Sequence, residues 1–125
     1  MYEITIQKSF NATHAIVIAG VREPVHGHDW QVVATIAGPR LDEAGLLCDF
    51  HELESALASI LDPWNHTHLN DAADFAGVEP TAEWVATVVA QRLAAALGGR
   101  LPGDARVARV GVTEAPGCVA TYLPW

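Results

Sequence analysis

Over residues 2–12 apolar and polar positions alternate: Tyr2, Ile4 and Ile6 fall on one face, Glu3, Thr5 and Gln7 on the other. A period of two marks a half-buried strand, because successive side chains leave a pleated backbone on opposite sides. A second strand is expected over 26–38 (HGHDWQVVATIAG), rich in β-branched residues and closed by Gly38-Pro39. The stretch between them, 15–25, contains Gly20 and Pro24 and reads as a loop or a ragged hairpin connection. Residues 46–50 read as a short strand. The period then changes. Phe50, Leu53, Leu57, Ile60 and Leu61 recur at helical spacing, and Asp49 followed by Glu52 has the form of a capping box. Asp62-Pro63 ends that helix, since proline offers no N–H and crowds the preceding turn. Residues 62–80 read as loop. A second helix starts at Thr81, with Glu83 in the first turn against the positive end of the helix dipole. It runs through Val85, Val88, Val89, Leu93 and Leu97 to Gly98-Gly99. Two strands, 106–114 and 118–123, joined by Ala115-Pro116-Gly117, complete the pattern.

The order β-β-α-α-β-β predicts an α+β fold: a mostly antiparallel sheet carrying both helices on one face. There is no repeat, linker or low-complexity segment, so residues 1–125 are expected to form one domain. Half the residues are apolar, and a domain this small hides only about two-thirds of its unfolded surface. The surplus points to contacts between subunits. Fifteen acids against seven bases give a net charge of −8. With no basic run longer than a pair, nucleic acid and anionic membrane surfaces are excluded as partners, because both demand clustered Lys and Arg. No stretch approaches the ~20 apolar residues of a membrane span, and the N-terminus lacks the basic and apolar regions of a secretory signal. A cytoplasmic protein is expected. Cys48 and Cys118 form neither a disulfide framework nor a metal knuckle; each lies in a strand-like apolar run and is expected to be a buried, inert thiol.

Candidate chemistry lies in the histidines. His26 and His28 stand two apart at the start of a strand, so both side chains leave the same face, roughly 6–7 Å apart along it. If the first two strands pair as a hairpin, His14 joins them. Three neutral imidazoles and an open position form the arrangement of a catalytic zinc; without the hairpin the same residues are ordinary surface or satisfied core histidines. His66 and His68 fall in the 62–80 loop, and His51, on the first turn of a helix, is expected to be exposed and without a role.

Six landmarks in order resemble the 6-pyruvoyl- and 6-carboxy-tetrahydropterin synthase family. They are Phe10-Asn11-Ala12-Thr13-His14, His26-Gly27-His28, Gly45-Leu46-Leu47-Cys48-Asp49-Phe50, His66-Thr67-His68-Leu69-Asn70, Pro80-Thr81-Ala82-Glu83, and Val112-Thr113-Glu114 with Tyr122. The resemblance implies a T-fold: a four-stranded antiparallel sheet with two helices on one face. Its subunits close into an oligomeric β-barrel, commonly a hexamer built as a dimer of trimers, with sites between subunits. It implies a zinc ion on His14, His26 and His28, no nucleotide cofactor, and a small pterin-like ligand. Glu114 would anchor the ring, with Thr81, Ala82, Thr113 and Arg22 as further binding candidates. Family enzymes are lyases acting on dihydroneopterin triphosphate, using zinc, a cysteine base and an Asp-His pair.

The chain departs from that pattern twice. The cysteine four residues before the first histidine of HGH is replaced by Arg22, and the aspartate before His66 by Asn65. Glu23 is one candidate replacement base, and either it or His66 would move protons; Asp62, swung by a shifted loop, is a candidate partner for His66. The favoured expectation is a protein that binds a pterin-like ring at Glu114 beside the histidine pocket without the standard reaction. The alternative is an active zinc-dependent synthase.

Overall fold

The computed structural model describes residues 1–124. Its elements run β1 (Tyr2–His14), β2 (Val17–Ile18), β3 (Val21–Arg22), β4 (His26–Gly38), α1 (Phe50–Leu61), β5 (Thr67–His68), α2 (Ala82–Leu97), β6 (Arg106–Ala115) and β7 (Cys118–Tyr122), with 3-10 turns in the α1–α2 connection. β1 pairs antiparallel with β4 along its whole length, from Tyr2 opposite Gly38 to His14 opposite His26. β6 and β7 extend the sheet antiparallel on the other side of β4. The expected hairpin, both helices and the two closing strands are therefore present. The sheet carries one addition to the expected four strands: β5, two residues long, lies parallel to β1 at the edge, giving the order β5-β1-β4-β6-β7. Residues 15–25 form a tight excursion in which β2 and β3, among the described residues, pair only with each other.

Both helices cover one face, α1 against β1 and α2 against β6 and β7. Side-chain alternation decides which residues enter the core between them. Phe10, Ala12, Trp30, Val32, Val110 and Val112 point inward from the strands, and Leu53, Leu57, Val85, Val89 and Leu93 meet them from the helices. Phe10 stacks on Trp30 with ring centroids 5.7 Å apart, and the Trp30 indole N–H donates to the Ala12 carbonyl at 3.1 Å. The opposite face carries no helix and is polar, with Thr5 bonded to Thr35, Gln7 to Gln31 and Asn11 to Asp29. Among the described residues, no helix is long and apolar enough to cross a membrane.

Four local expectations are corrected. Residues 46–50 are not a strand, because their backbone bonds locally. The Asp42 side chain accepts from the Ala44 and Leu46 N–H groups, and its backbone N–H donates to the Leu46 carbonyl. Gly45 turns the chain with a φ of 80° that favours glycine. Phe50 is exposed rather than part of the buried stripe of α1, whose inward residues are Leu53, Ala56, Leu57 and Leu61. Asp49 caps α1 by accepting from the His51 N–H, one residue earlier than the capping-box form requires. Cys48 is buried, and burial, with Glu52, Asp49 and Asp42 nearby, pushes its thiol above the ordinary value. Cys118 is exposed, since it sits at the hairpin end of an edge strand with a neighbouring strand on one side only.

Candidate functional site

The register that pairs β1 with β4 places His14, the last residue of one strand, opposite His26, the first of the other. Period-two alternation puts His28 on the same face as His26. On the other side of β4, Gln31 pairs with Thr113 of β6, so the next residue, Glu114, faces the histidines. The result is a convergence of four side chains from three strands. The His14 Nε2 lies 3.0 Å from the His26 Nε2. The Glu114 Oε1 lies 2.8 Å from the His14 Nε2, 3.0 Å from that of His28 and 3.6 Å from that of His26. All four ligand atoms sit within 4.8 Å of one another.

Backbone carbonyls set the orientation of two rings. The His14 Nδ1–H donates to the Pro80 carbonyl at 2.8 Å, and the His26 Nδ1–H to the Pro24 carbonyl at 2.9 Å. In the neutral imidazole this leaves the Nε2 lone pair of each ring aimed into the cluster. Such a second bond from the far ring nitrogen is the usual support of a metal-binding histidine. The Pro24 bond raises the His26 value, with Glu23 and Glu114 acting the same way against partial desolvation. Burial instead lowers the His28 value. Sequence reasoning missed the Pro80 carbonyl, which lies 66 residues from His14 along the chain and has no local signal.

The residues fit a divalent cation. His14 is fully buried, and the His28 Nε2, also buried, has no hydrogen-bond partner among the described residues despite its closeness to the Glu114 carboxylate. Lone pairs from imidazoles and a carboxylate oxygen pointing at one spot repel each other unless a positive charge sits among them. Nitrogen and oxygen donors in this number suit zinc.

Glu23 borders the cluster. One carboxylate oxygen accepts from the Ile16 N–H at 3.1 Å and lies 3.5 Å from the His26 Nε2. Arg22 is turned to other partners: it donates to the Ala15 carbonyl and pairs with Glu79 at 3.0 Å, half exposed. It lines a separate cleft of about 580 Å³ with His68, Asn70 and Phe75. The Asn65 side-chain carbonyl accepts from the Asn11 N–H at 2.8 Å. His66 is exposed, adopts a φ of 60°, and its ring has no partner among the described residues; Asp62 does not pair with it. His68 bonds through its Nδ1 to the Thr13 hydroxyl. Thr81 caps α2, its hydroxyl accepting from the Trp84 N–H, while Ala82 is buried beneath that first turn. His28, Asp29, Gln31, Thr113 and Glu114 line a cleft of about 620 Å³ at the end of the β4–β6 ladder, a volume within the range of small-molecule sites.

Comparison with known proteins gives a consistent result. The family model described as 6-pyruvoyl tetrahydropterin synthase matches residues 3–124. The chain is 33% identical, over 129 aligned positions, to the 6-carboxy-5,6,7,8-tetrahydropterin synthase of Bacillus subtilis (strain 168), covering 98% of this chain and 86% of that protein. It is 31% identical over 91 positions to a putative 6-carboxy-5,6,7,8-tetrahydropterin synthase of Archaeoglobus fulgidus, covering 73% of this chain and 75% of that one. Among solved structures, a Plasmodium vivax 6-pyruvoyltetrahydropterin synthase, described as a glutamate-to-alanine catalytic residue mutant, superposes with a TM-score of 0.83. It is 18% identical, with 97% of this chain and 96% of that chain covered. The Caenorhabditis elegans 6-pyruvoyl tetrahydropterin synthase superposes with a TM-score of 0.80 at 22% identity, covering 100% and 98%.

Proposed function

The chain belongs to the 6-pyruvoyl tetrahydropterin synthase family and has its T-fold, and from this premise we propose that it is a metal-dependent pterin synthase. In this reading His14, His26 and His28 hold the metal, Glu114 anchors the pterin ring, and Glu23 replaces the family's cysteine base. The observation that carries the reading is the convergence of three imidazole nitrogens and the Glu114 carboxylate on one point, beside an open cleft.

A zinc ion in that pocket supplies Lewis-acid polarisation of oxygens on the substrate's side chain. Everything else falls to the chain's own groups. Glu114 accepts from the ring N–H and exocyclic amine, a paired contact with a charged acceptor that is short and directional. Thr113, which lines the same cleft, is a further candidate contact to the ring edge. Glu23 is held in place by the Ile16 N–H and stands next to His26, where a carboxylate can take and return a proton. Its candidacy is supported by the glutamate named as a catalytic residue in the Plasmodium vivax protein. The substrate proposed from the family is dihydroneopterin triphosphate. Arg22, neutralised by Glu79, is not the base. The partners are further copies of the chain. Among the described residues, the outer edge of β7 is unpaired and that of β1 is covered only at Ala12 and Thr13 by β5. Closing such edges into a barrel, as a hexamer of two trimers, removes a template for wrong pairing.

Asn65 favours a second reading, in which the ring binds but the standard reaction does not occur. Its amide cannot charge His66 as a carboxylate would, and it is already committed to the Asn11 N–H. Incubation of the zinc-loaded protein with dihydroneopterin triphosphate separates the two. Triphosphate release with a new pterin, lost in Glu23→Gln, is the expected result. Ring binding without turnover establishes the second reading, and absence of both binding and turnover overturns the assignment.

A further inference from the structure

The Glu114 carboxylate has two tasks that it cannot perform at once. Anchoring a ring through a donor pair needs both oxygens turned to the cleft. In the structure Oε1 instead reaches into the histidine cluster, in contact with all three Nε2 atoms at 2.8, 3.0 and 3.6 Å. Donors around a tetrahedral zinc, each at about 2.0–2.2 Å, stand about 3.3 Å from one another. Four of the six donor separations, these three and the 3.0 Å between the His14 and His26 nitrogens, bracket that value, and all six lie within 4.8 Å. Glu23 does not share this position, since it approaches His26 alone and lies outside the group of mutually close donors.

We propose that Glu114 is a ligand that changes place: it is the fourth metal ligand while the cleft is empty, and it leaves the metal to hold the ring when the ring arrives. This rests on the proposed pterin and metal site and deepens it. The His28 Nε2 adds support, because this buried nitrogen lies 3.0 Å from the Glu114 oxygen without a hydrogen bond of good geometry among the described residues, and a cation shared with that carboxylate would satisfy it. The backbone permits the exchange. Glu114 sits where the β6–β7 register shifts between Thr113 and Ala115, so no ladder partner pins it, and its side chain is about one-quarter exposed on the cleft side. The consequence is a coupling between the two halves of the site. Ring binding opens one coordination position for the substrate's own oxygens, and a compound without the ring's donor pair leaves the metal closed.

The full chain loaded with Co2+ tests this, read by visible absorption, with Zn2+ affinity from chelator competition and with neopterin as the ring probe. The wild type is expected to show the intense bands of four-coordinate cobalt, and neopterin to shift them. Glu114→Gln is expected to weaken Zn2+ binding by at least about a hundredfold, since loss of an outer-shell support alone costs roughly 10–100-fold. Far-UV circular dichroism checks the fold of that variant, and the wild-type neopterin titration does not depend on it. Wild-type Zn2+ affinity in Glu114→Gln with loss of neopterin binding overturns the exchange and leaves the pterin reading standing. Neopterin bound with no change in the cobalt spectrum overturns it equally. Failure of the wild type to bind either metal overturns both the exchange and the metal site beneath it.

Discussion

Replacing Trp30 by phenylalanine tests how far the core shapes the site. The indole is fully buried, stacks on Phe10 at an interplanar angle of 6°, and donates to the Ala12 carbonyl. Its ring also stands edge-on to His14 at 4.8 Å and to His28 at 5.6 Å, forming the floor of the histidine cluster. Trp30→Phe removes the N–H donor, which costs about 1–2 kcal/mol where a buried acceptor is stranded. The part of the indole left unfilled adds about 1–2 kcal/mol in lost transfer and cavity terms. The sum is about 2–4 kcal/mol. At ~2.1 cal/mol/K per residue, 125 residues have an unfolding entropy of about 0.26 kcal/mol/K. Thermal unfolding followed by circular dichroism should therefore drop by roughly 8–15 °C. Zinc affinity should fall about tenfold, as it does when groups supporting metal ligands are removed. Unfolding within ~0.5 kcal/mol of the wild type, together with unchanged zinc affinity, would refute the claim that this ring holds the imidazoles in place.

Gly38→Ala should destabilise the chain by about 1–3 kcal/mol in urea unfolding, because its Cβ would lie 2.8 Å from the Leu47 Cδ1 and 2.9 Å from the Ala105 Cβ in a packed corner. Iodoacetamide followed by mass spectrometry should label exposed Cys118 first and spare Cys48, whose thiol is buried and pushed up, so that little thiolate forms. Equal labelling would contradict the burial. On the open face of the sheet, the Arg109 guanidinium donates to both Glu3 oxygens, at 2.7 and 3.1 Å, and holds that carboxyl below the usual value of 4.5. A depressed folded value means that the pair stabilises the fold above the unfolded value and that this contribution is lost as pH falls through the folded one. An NMR titration of Glu3 should show the low midpoint, and Arg109→Gln should return it toward the ordinary range.

The order of elements was legible because each rests on a short-range pattern. Alternation marks β1, three- and four-residue spacing marks the helices, and Asp49, Thr81 and Gly98 mark helix ends. Errors arose where local hydrogen bonds competed with the pattern. Asp42 captures the backbone of residues 44–46, so an apolar run that looks like a strand becomes a turn. Phe50 has helical spacing and yet faces outward, since spacing alone does not say where an apolar stripe begins. The 62–80 segment reads as loop because its order comes from 3-10 turns and a two-residue strand, too short to leave a period.

The amino-acid sequence by itself determined the α+β class, the four long strands and two helices in order, the family and the candidate residues of the site. It placed His26 and His28 on one face, because a strand's period is local and needs no partner. Only the tertiary structure decided that His14 joins them, through the β1–β4 register, and that Glu114 enters the same cluster from β6. It also decided that Pro80 and Pro24 turn the imidazoles and that Glu23, not Arg22, stands beside them. These are contacts across strands and loops distant in sequence, and no spacing along a chain encodes the ångström-scale distances on which binding and proton transfer depend.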